Sequence, residues 1–163
     1  MRRPWTCDNW NNYIPVKHRS GIRLRFDKDV DPEVKRAVKQ FVNWLREWYE
    51  FPIRVPIYLR STEYIRSREG DLVSATFLGS YDISEEPYIK VSVGDYCTML
   101  EEVGKDNALA GIICSIAHEL THYFQWIKFH DIWMDLDERK SERQALYYAR
   151  AIVDDYHDYY DHP

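Results

Sequence analysis

Apolar positions recur along this chain with two different periods, and the changes of period divide it into elements. Ile22-Arg23-Leu24-Arg25-Phe26 alternates apolar and charged residues, the pattern of a strand with one buried face. Asp31 and Pro32 then supply a helix cap and first turn. Val34, Ala37, Val38, Phe41, Val42, Leu45, Trp48 and Tyr49 recur at helical spacing behind them, so an amphipathic helix is expected that ends before Pro52. Residues 54–59 read as a strand that Pro56 interrupts or borders, which suggests a sheet edge. A loop over 66–71 follows. Residues 72–81 and 87–93 are two further strands joined by the acidic turn 82–86, most simply a β-hairpin. After Gly94 a short helical piece spans 96–103, Asp106 is a plausible cap for an apolar-periodic helix over 107–128, and a last helix covers 137–155. The first twenty residues lack a period and read as an irregular arm packed down by Trp5, Trp10 and Tyr13. Residues 154–163 form an acidic tail rich in Tyr and His. The expectation is α+β, with about four strands, in a single domain over 1–163.

The polar residues of the 107–128 helix carry the chemistry. His118 and His122 are four residues apart, so both imidazoles project from one side, a turn apart, and can grip a single Zn²⁺. Glu119 is displaced by about 100° around the helix, beside the metal rather than on it, where a carboxylate can take a proton from metal-activated water. Leu109, Ile112, Ile113, Ile116, Leu120, Tyr123, Phe124 and Ile127 fall on one broad apolar side. The opposite side carries Gly111, Cys114, His118, His122 and Gln125, with no Lys, Arg or Asp between Ala108 and Ile127. Such a helix is buried on both faces, and buried histidines need a partner. A catalytic zinc needs a third protein ligand and one open position. Glu138 and Glu142 are both in reach on the last helix. The small Ala145 and Ala149 share Glu142's side and permit close approach, which favours Glu142 and keeps Glu138 as the alternative.

Composition narrows the field. At 45% hydrophobic and 15% aromatic, the 163 residues can bury one substantial core. The net charge of −5 argues against a nucleic-acid or acidic-membrane surface. No run approaches the roughly 18 apolar residues that span a bilayer, and no secretory h-region is seen, so the expected location is the cytoplasm. Cys7, Cys97 and Cys114 are odd in number and wrongly spaced for a thiolate zinc site, and read as reduced thiols.

His118-Glu119-Leu120-Thr121-His122 followed by Glu142-Arg143-Gln144-Ala145 resembles the gluzincins, zinc metallopeptidases with HExxH on one helix and a glutamate ligand opening E-x-x-A-[DN] on the next. The 19-residue loop between His122 and Glu142 and the small size make it look most like the minigluzincins and the ImmA/IrrE-type peptidases of bacteria and phage. The resemblance covers roughly the last third of the chain, together with the helix-then-sheet order before it. It implies a minimal zincin-like fold: a small, twisted, mostly antiparallel sheet packed on a backing helix, an active-site helix, and a glutamate helix. It implies Zn²⁺ held by His118, His122 and Glu142, with Glu119 as the base in peptide-bond hydrolysis. A peptide or protein substrate would lie extended along an edge strand from 72–81, read with broad specificity.

One position departs from the family. Leu146 stands where an Asp or Asn usually hydrogen-bonds a ligand histidine, so Asp131, Asp135 or a backbone carbonyl replaces it, or the site is weakened. His130, Tyr81 and Tyr96 are candidates for stabilising an oxyanion. Minigluzincins are known as zymogens, and by that analogy His157, Asp158, Asp161 and His162 of the tail, or Cys7, could reach the zinc and make the enzyme latent. The competing function is a zinc-binding interaction protein with weak or absent catalysis on the same scaffold.

Overall fold

The computed structural model describes residues 4–163, so the first three residues of the expected arm lie outside it. In chain order the elements are β1 (Ile22–Phe26), α1 (Pro32–Trp48), β2 (Val55–Arg60), β3 (Ile65–Arg66), β4 (Leu72–Val73), β5 (Ala75–Leu78), β6 (Tyr88–Ser92), α2 (Tyr96–Val103), α3 (Lys105–Lys128) and α4 (Glu138–His157). Short 3-10 turns occupy Trp10–Asn12 and His130–Asp135. The architecture is α+β around one four-stranded sheet, in the order β1-β2-β6-β5.

That sheet is mixed rather than mostly antiparallel. β1 pairs parallel with β2 across the α1 crossover, β2 pairs parallel with β6, and only β5 runs antiparallel, against β6. Alternation along a strand tells which side chains face the core, but it does not name the neighbour. β2 accordingly lies in the interior of the sheet, not at its edge, and Pro56 fits there for a local reason. Val55 N–H donates to Gly21 C=O at 3.0 Å, so by alternation the Pro56 nitrogen faces the β6 side. Pairing with β6 begins only at Ile57 opposite Ile89, one residue further on. The missing N–H falls just outside the ladder.

The expected hairpin holds for part of its length. Ala75–Leu78 pairs with Tyr88–Ser92, with Phe77 opposite Ile89. Leu72–Val73 turns away to form a two-stranded ribbon with Ile65–Arg66, and the loop at 67–71 is its turn, with Gly70 at φ 91°. The sheet buries one face against the helices and leaves Arg23 and Arg25 on the other.

Asp31 caps α1 as expected, its carboxylate accepting from Glu33 N–H at 2.8 Å. Val34, Ala37, Val38, Phe41, Val42 and Leu45 form its buried stripe, while Trp48 is exposed and covers Tyr159 instead. α3 starts earlier than expected. Gly104, at φ 84°, separates it from α2, and Asp106 sits inside its first turn rather than at the cap. Trp5 and Trp10 of the arm are buried against Phe124, and Tyr13 lies half exposed beside Trp10. No helix among the described residues is long and apolar enough to cross a membrane.

One buried side chain ties α3 to the segment that leads into β2. Tyr123 O–H donates to Ile53 C=O at 2.6 Å and accepts from Ile53 N–H at 3.0 Å, and burial raises its pKa far above the ordinary value. Tyr123→Phe keeps the ring but leaves both Ile53 backbone groups unpaired in the core. It should cost about 1–3 kcal/mol in chemical denaturation, and a change within a few tenths would contradict this role.

Candidate metal centre

α3 is held around its whole circumference, and this is what allows its polar residues to be placed. From Ile116 to Ile127 every residue is buried except His118, which is partly so. Besides the Tyr123 contact, Trp5 Nε1–H donates to Thr121 Oγ at 2.9 Å, inside the motif itself. Trp126 Nε1–H donates to Ser80 C=O at 2.8 Å, which pins the chain just past β5 to the helix. Gly79 lies so close that a Cβ there would meet the Trp126 ring at 2.7 Å. On the remaining side α4 packs through Ala145 and Ala149, both fully buried.

This packing brings together three of the expected ligands. His118 Nε2 and His122 Nε2 are 3.2 Å apart, His118 Nε2 is 3.1 Å from one Glu142 oxygen, and His122 Nε2 is 3.0 Å from the other. Four ligands at tetrahedral zinc, with bonds near 2.0–2.1 Å, stand about 3.3 Å from one another. The two nitrogens stand close to that spacing, and the Glu142 carboxylate bridges them with one oxygen to each. Glu142 keeps 53% of its side chain exposed and lines the cleft. His118, His122 and Glu142 are the one group of metal-ligating side chains found clustered among the described residues. Glu138 lines the same cleft without joining the cluster.

Electrostatics follow from the geometry. The His118 and His122 rings in contact with it hold the Glu142 carboxyl far below the usual carboxylate range. Burial opposes charging of His122, but Glu142 and Glu119 beside it outweigh burial and raise its pKa. Glu119 is 7% exposed, and burial raises its pKa, with the two histidines pulling it down and Glu142 pushing it up. The Phe77 backbone hydrogen-bonds its carboxylate.

That last contact brings the sheet edge to the site. Ser92 N–H donates to Ser74 C=O at 2.7 Å, so on this antiparallel ladder the backbone groups of Ser74 and Thr76 face β6, and those of Ala75 and Phe77 face the open edge. β5 is thus an unpaired edge strand alongside the histidines. The cleft is also lined by Ser67, Arg68, Glu69 and Asp71 of the ribbon turn and by Trp133, Met134 and Leu136.

The remaining expectations are redistributed. His130 donates Nε2–H to Tyr81 C=O at 2.6 Å and packs on Trp126, outside the cleft lining. The Tyr81 ring lies under Arg68, and Tyr96 is buried near Asp31, Glu33 and Lys105, so neither faces the cluster. The acidic tail is docked elsewhere. His162 Nδ1 is 2.7 Å from Asp106, Arg36 donates to Pro163 C=O at 2.7 Å, and no residue of 154–163 lines the cleft. Cys7 lies near Lys128, outside the ligating cluster. The acceptor at the ligand histidine is none of Asp131, Asp135 or a backbone carbonyl: Gln125 Oε1 lies 2.8 Å from His122 Nδ1. Leu146 is 43% exposed. Gln125 stood on the histidine side of the helical wheel, and its spacing of three from His122 was the available signal.

No protein-family model, curated protein or solved structure matches this chain.

The raised pKa of Glu119 has a sign that can be tested in metal-free protein. A folded state that binds the proton more tightly loses stability as pH rises from the ordinary value of 4.5 through the raised one, and the full cost remains above it. Glu119→Gln removes that cost while keeping an acceptor for Phe77 N–H. It should stabilise the metal-free chain by about 0.5–2 kcal/mol above pH ~7, with the gain shrinking below pH ~4. Equal denaturation midpoints at all pH values would contradict the buried charge.

Proposed function

We propose that this chain is a zinc-dependent metallopeptidase of the gluzincin type on a zincin-like scaffold, hydrolysing peptide bonds in extended peptide or protein substrates. The observation that carries the reading is the cluster of His118, His122 and Glu142, whose carboxylate spans the two Nε2 atoms, with Glu119 buried beside it and hydrogen-bonded to a free strand edge. Zinc held by these three side chains would supply Lewis acidity that lowers the pKa of water and polarises a carbonyl.

The protein's own groups do the rest. Glu119, with its raised pKa, takes the proton as water attacks the scissile carbonyl and passes it to the leaving nitrogen as the C–N bond breaks. The Phe77 contact fixes the direction of its carboxylate. The open-edge groups of Ala75 and the C=O of Phe77 offer main-chain hydrogen bonds to a peptide laid along β5, a mode that holds backbone and reads side chains weakly. The alternative, a zinc-holding interaction protein without catalysis, drew on Leu146 or a blocked cleft; Gln125 Oε1 against His122 Nδ1 and a tail docked away from the cleft support the enzyme instead.

The test is digestion of an unstructured peptide mixture by the zinc-loaded full chain. Glu119→Gln should lower cleavage roughly 10²–10⁴-fold with zinc still bound. Glu142→Ala should lose zinc affinity by more than roughly a hundredfold, and Glu138→Ala should keep it. Inactivity of wild type and variant alike, with zinc bound in both, would select the interaction protein; loss of zinc in Glu138→Ala alone would move the third ligand.

A further inference from the structure

We infer that Gln125 is the positioning residue of this site, setting the tautomer of His122 and locking the ligand-bearing turn of α4 to α3 through one side-chain amide. The inference rests on the metal reading above for its purpose, but not for its geometry. Gln125 is 1% exposed, and its contacts run in two directions. Its Nε2 lies 3.1 Å from Ser141 C=O and 2.8 Å from Gln144 Oε1, while its Oε1 lies 2.8 Å from His122 Nδ1 and 2.8 Å from Ser141 Oγ.

The amide could be written either way round on shape alone, and the Ser141 carbonyl decides it. A carbonyl oxygen only accepts, so the group facing it must be NH₂, and the amide oxygen must then face His122. An oxygen facing a ring nitrogen at 2.8 Å requires a proton on that nitrogen. Nε2 also faces an oxygen, Glu142 at 3.0 Å, so a neutral ring has one proton for two acceptors; the shorter contact keeps it on Nδ1 and leaves the Nε2 lone pair for a cation held between His122 and Glu142. Nε2 is the atom 3.0 Å from Glu142 and 3.2 Å from His118. The main-chain carbonyl of Ser141 thus fixes, through Gln125, which nitrogen of His122 is free to ligate.

The same amide ties the two helices together. Ser141 immediately precedes Glu142 and Gln144 follows it by two, so the turn that carries the third ligand is held by the group that orients the second. This is the work that Leu146, exposed and apolar, leaves undone. Gln125 does it from the metal helix itself, three residues beyond His122.

The deciding measurement is the ring ¹⁵N spectrum of His122 in the metal-free full chain, at a pH where the imidazole is neutral, followed by zinc affinity from chelator competition in variants. Wild type should show a protonated Nδ1 and an unprotonated Nε2. Gln125→Leu should lose that preference and bind zinc about ten- to a hundredfold more weakly. Gln125→Glu, which keeps an acceptor against Nδ1 but loses the NH₂ that faces Ser141 and Gln144, should retain the tautomer and fall between wild type and Gln125→Leu in zinc affinity. A proton on Nε2 in wild type overturns the inference without any variant, as does unchanged affinity and tautomer in Gln125→Leu. A wild-type chain that takes up no zinc sinks the metal reading, while its metal-free nitrogen shifts still decide the clamp.

Discussion

His118 Nε2 and His122 Nε2 are held 3.2 Å apart with the Glu142 carboxylate spanning them, one oxygen 3.1 Å from the first and the other 3.0 Å from the second, and the rest of the molecule is arranged to keep them there. Bringing such groups together in a partly buried place costs free energy unless protons or a cation lie among them. The protein meets the cost with rigidity. α3 is gripped by Trp5 through Thr121, by Ile53 through Tyr123, by Ser80 through Trp126 and by Ser141 and Gln144 through Gln125. Ala145 and Ala149 let α4 come close enough for Glu142 to reach.

Glu119 fits the same logic. A buried carboxylate with a raised pKa is a stability defect for a fold and an asset for a base, the usual exchange at a working site. Its backbone partner, Phe77, belongs to β5, an edge strand of the sheet, so the groups proposed for proton transfer and for peptide binding meet at a single residue. Gly79 and Trp126 set how closely that strand approaches the helix.

What the sequence made legible was periodicity and its exceptions. His118, Glu119, His122 and Glu142 stood out because helical spacing puts them on defined faces, and the absence of charge along α3 marked it as buried. Strand pairing was not legible. The alternation of β1 and the run of β2 say which side is buried, and nothing in them favours a parallel neighbour, so Pro56 pointed to an edge that the ladder did not require. Gln125 was visible as a polar residue on a buried face, yet its role depends on Ser141 and Gln144 arriving from α4. The tail's composition suggested metal ligands, whereas its docking on α1 is set by Arg36 and Gln40, residues far away in sequence.

X-ray absorption at the zinc edge of the zinc-loaded full chain tests the central claim most directly. The account predicts one zinc per chain, coordinated by two imidazole nitrogens at about 2.0–2.1 Å with oxygen completing the shell and no sulfur. A sulfur neighbour near 2.3 Å, which would bring in Cys7, Cys97 or Cys114, or a shell without imidazole scattering, would contradict it.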